Sequence, residues 1–481
     1  MTWSPRWRSS ASVAVPMVVA VALTAFPVRL VGQLAPVKSN PEVTFTKDIA
    51  PILQRTCQNC HRPNGGLAPM SLTSYEEVRP WARSIKLRTS KREMPPWFID
   101  KTVGIQKFKD DISLSDEEIA TIGAWVDAGA PRGNPAQMPP PRQFADSNTW
   151  SIGEPDVIVY SPLMTVKAEA GDFHIPYIGS TPTGLTEDRW IAAFEVKEFR
   201  PGETRRSLGR AATESGVGNN YFVLHHQVIS NTPPGETEGG EADTSERPGA
   251  FNYVYEVGQN AQFIPENVGV QLKVGEPLYF NSTHLHSIGK EVQLKAEIAF
   301  KLHPKGYNPK FPQGVSRVAT SPRNGIGAEL DIPGSTDNVR FDRFLTLQTA
   351  AKLVNFEPHL HASGKRMCVE AIYPSGIVET LNCAGYNHAW VKNYQYQDEA
   401  APLLPKGTIL HVMAWYDNTA KNPRVVDPRN WRGTGHRSID DMIIFLGKYV
   451  SYTDDEFKAE VAARAKQQVK VTATATTQQQ Q

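Results

Sequence analysis

The chain has 481 residues, a formal net charge of +1 and 40% hydrophobic residues. This is the balance of an ordinary globular protein, long enough for roughly three domains at about 150 residues each. It carries no electrostatic footprint for nucleic acid or for an acidic surface.

The N-terminus reads as an export signal. Basic positions within MTWSPRWRSS precede the apolar stretch ASVAVPMVVAVALTAFPV, which Pro16 interrupts. A signal peptide is expected over residues 1 to 35, with an uncleaved anchor as the alternative because the apolar run is long for a signal core. No cysteine lies nearby to make the chain a lipoprotein. Beyond residue 30 nothing is apolar for long enough to cross a bilayer, so the mature protein is expected in the periplasm or secreted, with no membrane span.

The four cysteines fall into two pairs. The first, Cys57 and Cys60 in TCQNCH, is followed by His61. In C-x-x-C-H the two thiols are spaced to add to the vinyl groups of a haem, and the adjacent histidine reaches the iron. A zinc site would need a second cysteine or histidine pair nearby, and the next histidine is His174. In TFTKDIAPILQRTCQNCH, Ile49, Ile52, Leu53 and Cys57 recur at helical spacing, a face leading into the motif. SLSDEEIATIGAWVDAGAP predicts another helix. Ser115 and Glu118 form a capping box, Ile119, Ile122, Trp125 and Val126 point inward, and Gly129 and Pro131 end it. Residues 41 to 131 resemble a class I c-type cytochrome domain, which implies a small all-α unit with one covalent haem. With no histidine between His61 and His174, a second axial ligand from this unit has to be methionine. Met94 in REMPPW is the candidate, since paired prolines hold a loop rigid, with core packing as its alternative role. Met70 follows His61 closely, and Met138 lies in the linker.

PRGNPAQMPPPRQ, residues 131 to 143, has the composition of a semi-rigid linker, expected over 132 to 148. The chain then changes character. PDVIVYSP, DRWIAAFEVKEF, YVYEVG, QLKVGEPLYF, VQLKAEIAFKLH and GTILHVMAWYDN are short β-type runs between turn residues. About 300 residues of this kind suit two β-sandwiches in tandem, 150 to 318 and 319 to 455, divided in the loop-like VATSPRNGIGAELDIPGS. The tail from 456 to 481 ends in TATATTQQQQ and is expected to be disordered.

The second cysteine pair follows from a hairpin. If Ser375 and Gly376 form the tip, Cys368 faces Cys383 across the two strands, and an oxidising compartment makes a disulfide of them.

The histidines come in pairs: His225 and His226 in YFVLHHQVIS, His284 and His286 in FNSTHLHSIG, and His359 and His361 in FEPHLHASGK. On an extended segment His359 and His361 point to one side while Leu360 packs the other way. Met442 stands at the head of an apolar strand in SIDDMIIFLG. Imidazole binds both copper oxidation states, thioether favours Cu(I), and a carboxylate-free set is a poor home for calcium or magnesium. Adjacent histidines on a regular strand face opposite ways, so His225 and His226 share a metal only where the strand twists, bulges or ends.

The order HH, HxH, HxH-x-x-GK and D-[DE]-M resembles the copper type II, ascorbate-dependent monooxygenases, the family of peptidylglycine α-hydroxylating monooxygenase and dopamine β-monooxygenase. The resemblance spans roughly residues 155 to 452 and is strongest from 356 to 450. It implies two β-sandwich domains with one copper each. His359, His361 and Met442 match the oxygen-activating copper, and His225, His226 and His284 match the electron-transfer copper, with His286 as the alternative to His284. His174, His303, His388, His411 and His436 read as hydrogen-bonded structure or surface, His411 being the one to watch as a partner of a ligand.

The resemblance implies hydroxylation of a C–H bond of an organic substrate with dioxygen. The animal enzymes draw electrons from ascorbate, whereas here the haem is expected to pass them to two coppers after receiving them from an extracytoplasmic donor. Two alternatives remain: an extracytoplasmic electron-transfer cytochrome whose copper sites are relics, and a copper storage or sensing protein without turnover.

Overall fold

The computed structural model describes residues 43–63, 68, 70–144, 149–202, 223–233, 249–257, 261–312, 314, 316–317, 329–437 and 439–479. The expected signal peptide lies outside the described residues, as does most of the loop expected to divide the β units.

The chain is mostly β-sheet, with a helical stretch in front. A wide turn over Phe45–Ile49 runs straight into a helix, Ala50–Thr56, where Pro51 sits in the first turn and so removes no helical hydrogen bond. Ile49, Ile52 and Leu53 are buried along one face, and Cys57 caps the end. Two further helices, Tyr75–Val78 and Ala82–Ser90, precede Asp116–Asp127, whose capping box joins Ser115 and Glu118. Gly129 ends the last of these in the left-handed region, at φ +87°. Phe45, Leu53, Val78, Leu114, Ile122 and Trp125 form the core of this stretch, and Cys57, Met70 and Met138 pack against it.

The proline-rich stretch folds back rather than spacing two bodies apart. The Phe45 and Thr46 amides donate to the Pro131 and Arg132 carbonyls at 3.0 Å each, and Gln54 Nε2 donates to the Pro140 carbonyl at 3.0 Å. Nor do residues 41 to 131 pack only on themselves. Trp97, Ile99 and Phe108 are buried in the core of the last β unit, where Ile99 bridges to Ala384 and Phe108 to Tyr396. The Asp100 and Ile105 amides donate to the Cys383 and Leu381 carbonyls at 2.9 Å each.

The first β unit has two antiparallel sheets around one core. One orders its strands Val157–Tyr160, Val292–Leu302, Arg189–Phe199 and Gln262–Phe263. The other runs Phe173–Pro182, Pro277–Leu285, Leu224–Ser230 and Asn252–Glu256. Phe194 and Phe300 from the first sheet meet Tyr253 and Phe280 from the second in that core.

The second β unit repeats the plan. Asp337–Thr346, Ile409–Asp417, Gly364–Ile372 and Val378–Gly385 make one sheet, and Ser316–Arg317, Lys448–Tyr452, Ala350–Leu353 and Leu403–Leu404 make another. Ser316 and Arg317, assigned by composition to the first unit, pair with Tyr449 and Lys448 and so belong to the second. Cys368 and Cys383 face each other and are joined by a disulfide. A register shift between Val369 and Glu370 means that the strands nearer the tip pair one residue differently, which the simple hairpin did not anticipate.

The tail differs from its expected disorder: Asp454–Gln479 is a helix. Thr453 and Glu456 start it, the Thr453 amide donating to Glu456 Oε2 at 2.8 Å and the Glu456 amide to Thr453 Oγ1 at 3.3 Å. This capping pair, followed by an alanine-rich run, outweighs the low complexity of the end. No helix among the described residues is long and apolar enough to cross a membrane.

Candidate functional site

Leu224–Ser230 is an interior strand of its sheet, so both its neighbours constrain it. Its pairing with Pro277–Leu285 shifts register on each side of His226, between Leu224 and His226 and again between His226 and Val228. The irregularity is what lets two adjacent histidines serve one region. His226 stands opposite both His284 and Glu256, while the His225 ring lies 5.4 Å from that of His284 and 5.6 Å from that of His286.

The second set obeys simple alternation. Leu360 is fully buried in the core, and His359 and His361 turn the other way with their rings 5.4 Å apart. Gly364 makes the turn possible, because a Cβ there would lie 2.5 Å from Cβ of Leu360. His359 pairs with Ile444 in an antiparallel bridge, two residues along the chain from Met442. Met442 is buried, and its carbonyl accepts from the Tyr416 hydroxyl at 2.7 Å. Its neighbour Asp441 accepts from the Ser363 hydroxyl and from Arg432. Burial pushes this carboxyl up to about 7 despite those partners.

These two sets meet. The His226 and His359 rings are 5.4 Å apart, and those of His284 and His361 6.4 Å. His388, from the second unit, lies 4.4 Å from His225 and 5.8 Å from His361. Beside them His174 and His436 stack at 5.0 Å. Each unit also holds a histidine of the other: His359 Nδ1 donates to Glu256 of the first unit, and His225 Nε2 donates to the His388 carbonyl of the second at 2.7 Å. Within the first unit, His284 Nε2 pairs with Asp172 at 2.6 Å.

Such oxygen partners on one ring nitrogen are the usual companions of a metal-binding imidazole, because they fix the tautomer and leave the other nitrogen to the ion. Nδ1 of His225 and Nδ1 of His361 are buried without a hydrogen-bond partner, as is Oε2 of Glu256. Burial, with smaller contributions from neighbouring imidazoles, lowers His225 to about 3 and pushes His226, His361 and His388 well below the ordinary histidine range. Neutral imidazole is the form that binds metal. Among the described residues, however, no three His, Cys, Asp or Glu side chains are already arranged around a single ion. The rings are gathered, while several of their nitrogens are turned to protein oxygens. A nitrogen-rich set with two orphaned buried Nδ1 atoms fits copper better than a hard cation.

Cys57, Cys60 and His61 share a tight turn, in which the Cys60 and His61 amides donate to the Cys57 carbonyl at 3.1 and 2.9 Å. Both thiols are free, and burial raises them, Cys57 to about 11. His61 Nδ1 donates to the Met70 carbonyl at 3.2 Å, a bond that leaves Nε2 as the other ring nitrogen. Met70 and Met138 pack against the helical core, whereas Met94 is 43% exposed. The residues present therefore fit a covalent haem. Buried Lys392 interacts electrostatically with Cys60, four residues along the chain from His388.

The expectations for the remaining histidines divide. His303, half-buried, stacks on Tyr307 at 3.7 Å. His411, held by Asp342 at 2.6 Å and Glu370 at 3.2 Å, is occupied within its own sheet rather than beside a ligand. His388, His174 and His436, read as structure or surface, instead join or flank the cluster. YNHAW carries no spacing signal for this, because its contacts are made across units. Glu256 likewise bonds across units, to His359, whereas Asp172 meets His284 within the first unit and belongs to no motif.

No family model matches the sequence, and no curated protein does. Solved structures similar to the chain include the cowpea mosaic virus top component, at 9% identity over 65% of this chain and 94% of that one, with a TM-score of 0.27. PNGF-II is similar at 10% identity over 65% of this chain and 64% of its own, so the chain spans less than two thirds of it, with a TM-score of 0.24. Coconut allergen cocosin is similar at 9% identity over 62% and 86%, with a TM-score of 0.14. Likenesses this faint carry no argument about what this chain does.

Proposed function

We propose that the protein is an exported, haem- and copper-dependent monooxygenase, related to the copper type II ascorbate-dependent family and acting on a C–H bond of an organic substrate. Its overall reaction adds one atom of dioxygen to the substrate and reduces the other to water, using two electrons and two protons. The observation that carries this reading is the meeting of His225, His226 and His284 with His359 and His361 across two β units, a ring distance of 5.4 Å linking His226 to His359.

When bound, copper supplies one-electron redox chemistry toward dioxygen, and haem c supplies a one-electron store. In this reading the helical stretch is a cytochrome domain and the β units are copper domains. Cys57 and Cys60 anchor the haem, His61 offers Nε2 to its iron, and Met94 provides the sixth ligand. His225, His226 and His284 hold one copper. His359, His361 and Met442 hold the other, with Glu256 fixing the tautomer and orientation of His359. The disulfide in the second unit agrees with an extracytoplasmic compartment.

Protein purified from the extracytoplasmic fraction should contain one covalent haem and two coppers. Supplied with labelled dioxygen, it should place label in a hydroxylated product. Two bound coppers with no label in any product across a broad substrate screen would replace this reading with copper storage or sensing. Haem with negligible copper would replace it with electron transfer alone.

A further inference from the structure

His388 is the member of the cluster that no motif announces. It sits in the loop after Val378–Gly385, in the second β unit, yet its nearest ring in the cluster is His225 of the first unit, at 4.4 Å. The His361 ring is 5.8 Å away on the other side. With a metal–nitrogen bond of about 2.0–2.1 Å, two imidazoles on one ion have ring centroids no more than roughly 6.5 Å apart, and both separations fall within that limit.

The backbone at this point is anchored. The His388 carbonyl accepts from His225 Nε2 at 2.7 Å, fixing the tautomer that leaves His225 Nδ1 as a lone-pair donor, and that Nδ1 is buried without a partner. The Ala389 amide donates to Asn387 Oδ1 at 3.0 Å, and the Val391 amide to the Val257 carbonyl at 3.0 Å. Val257 in turn donates its amide to the His225 carbonyl at 2.8 Å, so the loop is tied to the strand of His225 through both main chain and side chain.

We propose that His388 is a metal ligand: the copper on the His225 side takes its ring from the opposite unit in addition to the first unit's own histidines. The inference rests on the copper reading above and extends it, because it makes this centre a joint product of the two units. An imidazole added to a histidine set keeps the site suited to both Cu(II) and Cu(I).

The test uses the full haem-containing chain loaded with copper, comparing His388→Ala, His388→Gln and the control His303→Ala, a half-buried histidine stacked on Tyr307. Both His388 variants keep the main-chain carbonyl that holds His225, and glutamine also keeps much of the side-chain bulk. Copper retained against a graded chelator and the nitrogen hyperfine pattern of the cupric form are the readouts. Wild type and His303→Ala should retain two coppers. Both His388 variants should hold one of the two at least ~10-fold more weakly, with an altered nitrogen pattern. Unchanged affinity and spectra in either variant would overturn the assignment while leaving the copper reading intact. A wild type that holds no copper would overturn both.

Discussion

The two β units bring histidines to one place by different backbone routes. In the second, alternation does the work: Leu360 enters the core and the flanking histidines face away from it. In the first, an interior strand carries adjacent histidines, and two register shifts around His226 replace alternation. The first arrangement that a reader meets in the sequence is thus the less legible one. A bulged strand depends on both of its neighbours, whereas an alternating strand depends on its own core residue.

That contrast predicts where each set is vulnerable. Leu360→Ala should have the largest effect, about 2–5 kcal/mol in urea unfolding, because it opens a cavity directly under the two imidazoles. It should also scatter the second histidine set, read as lost copper. A loss under 1 kcal/mol would show that Leu360 does not set the direction of His359 and His361.

Reducing the Cys368–Cys383 bridge should come next. It closes 15 residues of sequence separation, and in the chain-entropy model a loop of that size is worth roughly 3 kcal/mol. The melting temperature of the second unit should fall while the haem stays attached. The described residues of the first unit contain no cysteine, so an equal fall in that unit would mean that the two do not unfold separately.

Glu256→Gln sharpens the comparison differently, since the residue lies in the first unit but bonds His359 of the second. Copper held by the second set should weaken about 10- to 100-fold in chelator competition. A change confined to the first set would refute the crossed support. Last and smallest, Ser115→Ala should cost about 1 kcal/mol through its helix cap, leaving copper retention as it was. Lost copper in this variant would tie the helical stretch to the cluster more tightly than its contacts imply.

Local chemistry was readable in the sequence, and contacts between units were not. The helix over Asp116–Asp127 announced itself through Ser115, Glu118 and Gly129, and the disulfide through a hairpin count. The alternation around Leu360 was equally plain. His388, Glu256 and Asp172 gave no signal, because their partners lie in other strands or in the other unit. The helix of the tail does carry a local signal, the capping pair at Thr453 and Glu456, which the low-complexity composition of its end masks. The burial of Trp97, Ile99 and Phe108 was invisible as well, since nothing in a residue's own neighbourhood reveals a partner hundreds of positions away.

Those three side chains have a consequence for the order in which the protein is made. The amide of Phe98, in the same segment, donates to the Tyr394 hydroxyl across 296 residues of sequence. A chain that emerges from its N-terminus therefore presents this segment long before the strands that bury it exist. During that interval Trp97, Ile99 and Phe108 remain wetted, and the stretch bearing Cys57 and Cys60 is not yet pinned to the last β unit. Completion of the C-terminal unit is thus the event that buries side chains made hundreds of residues earlier.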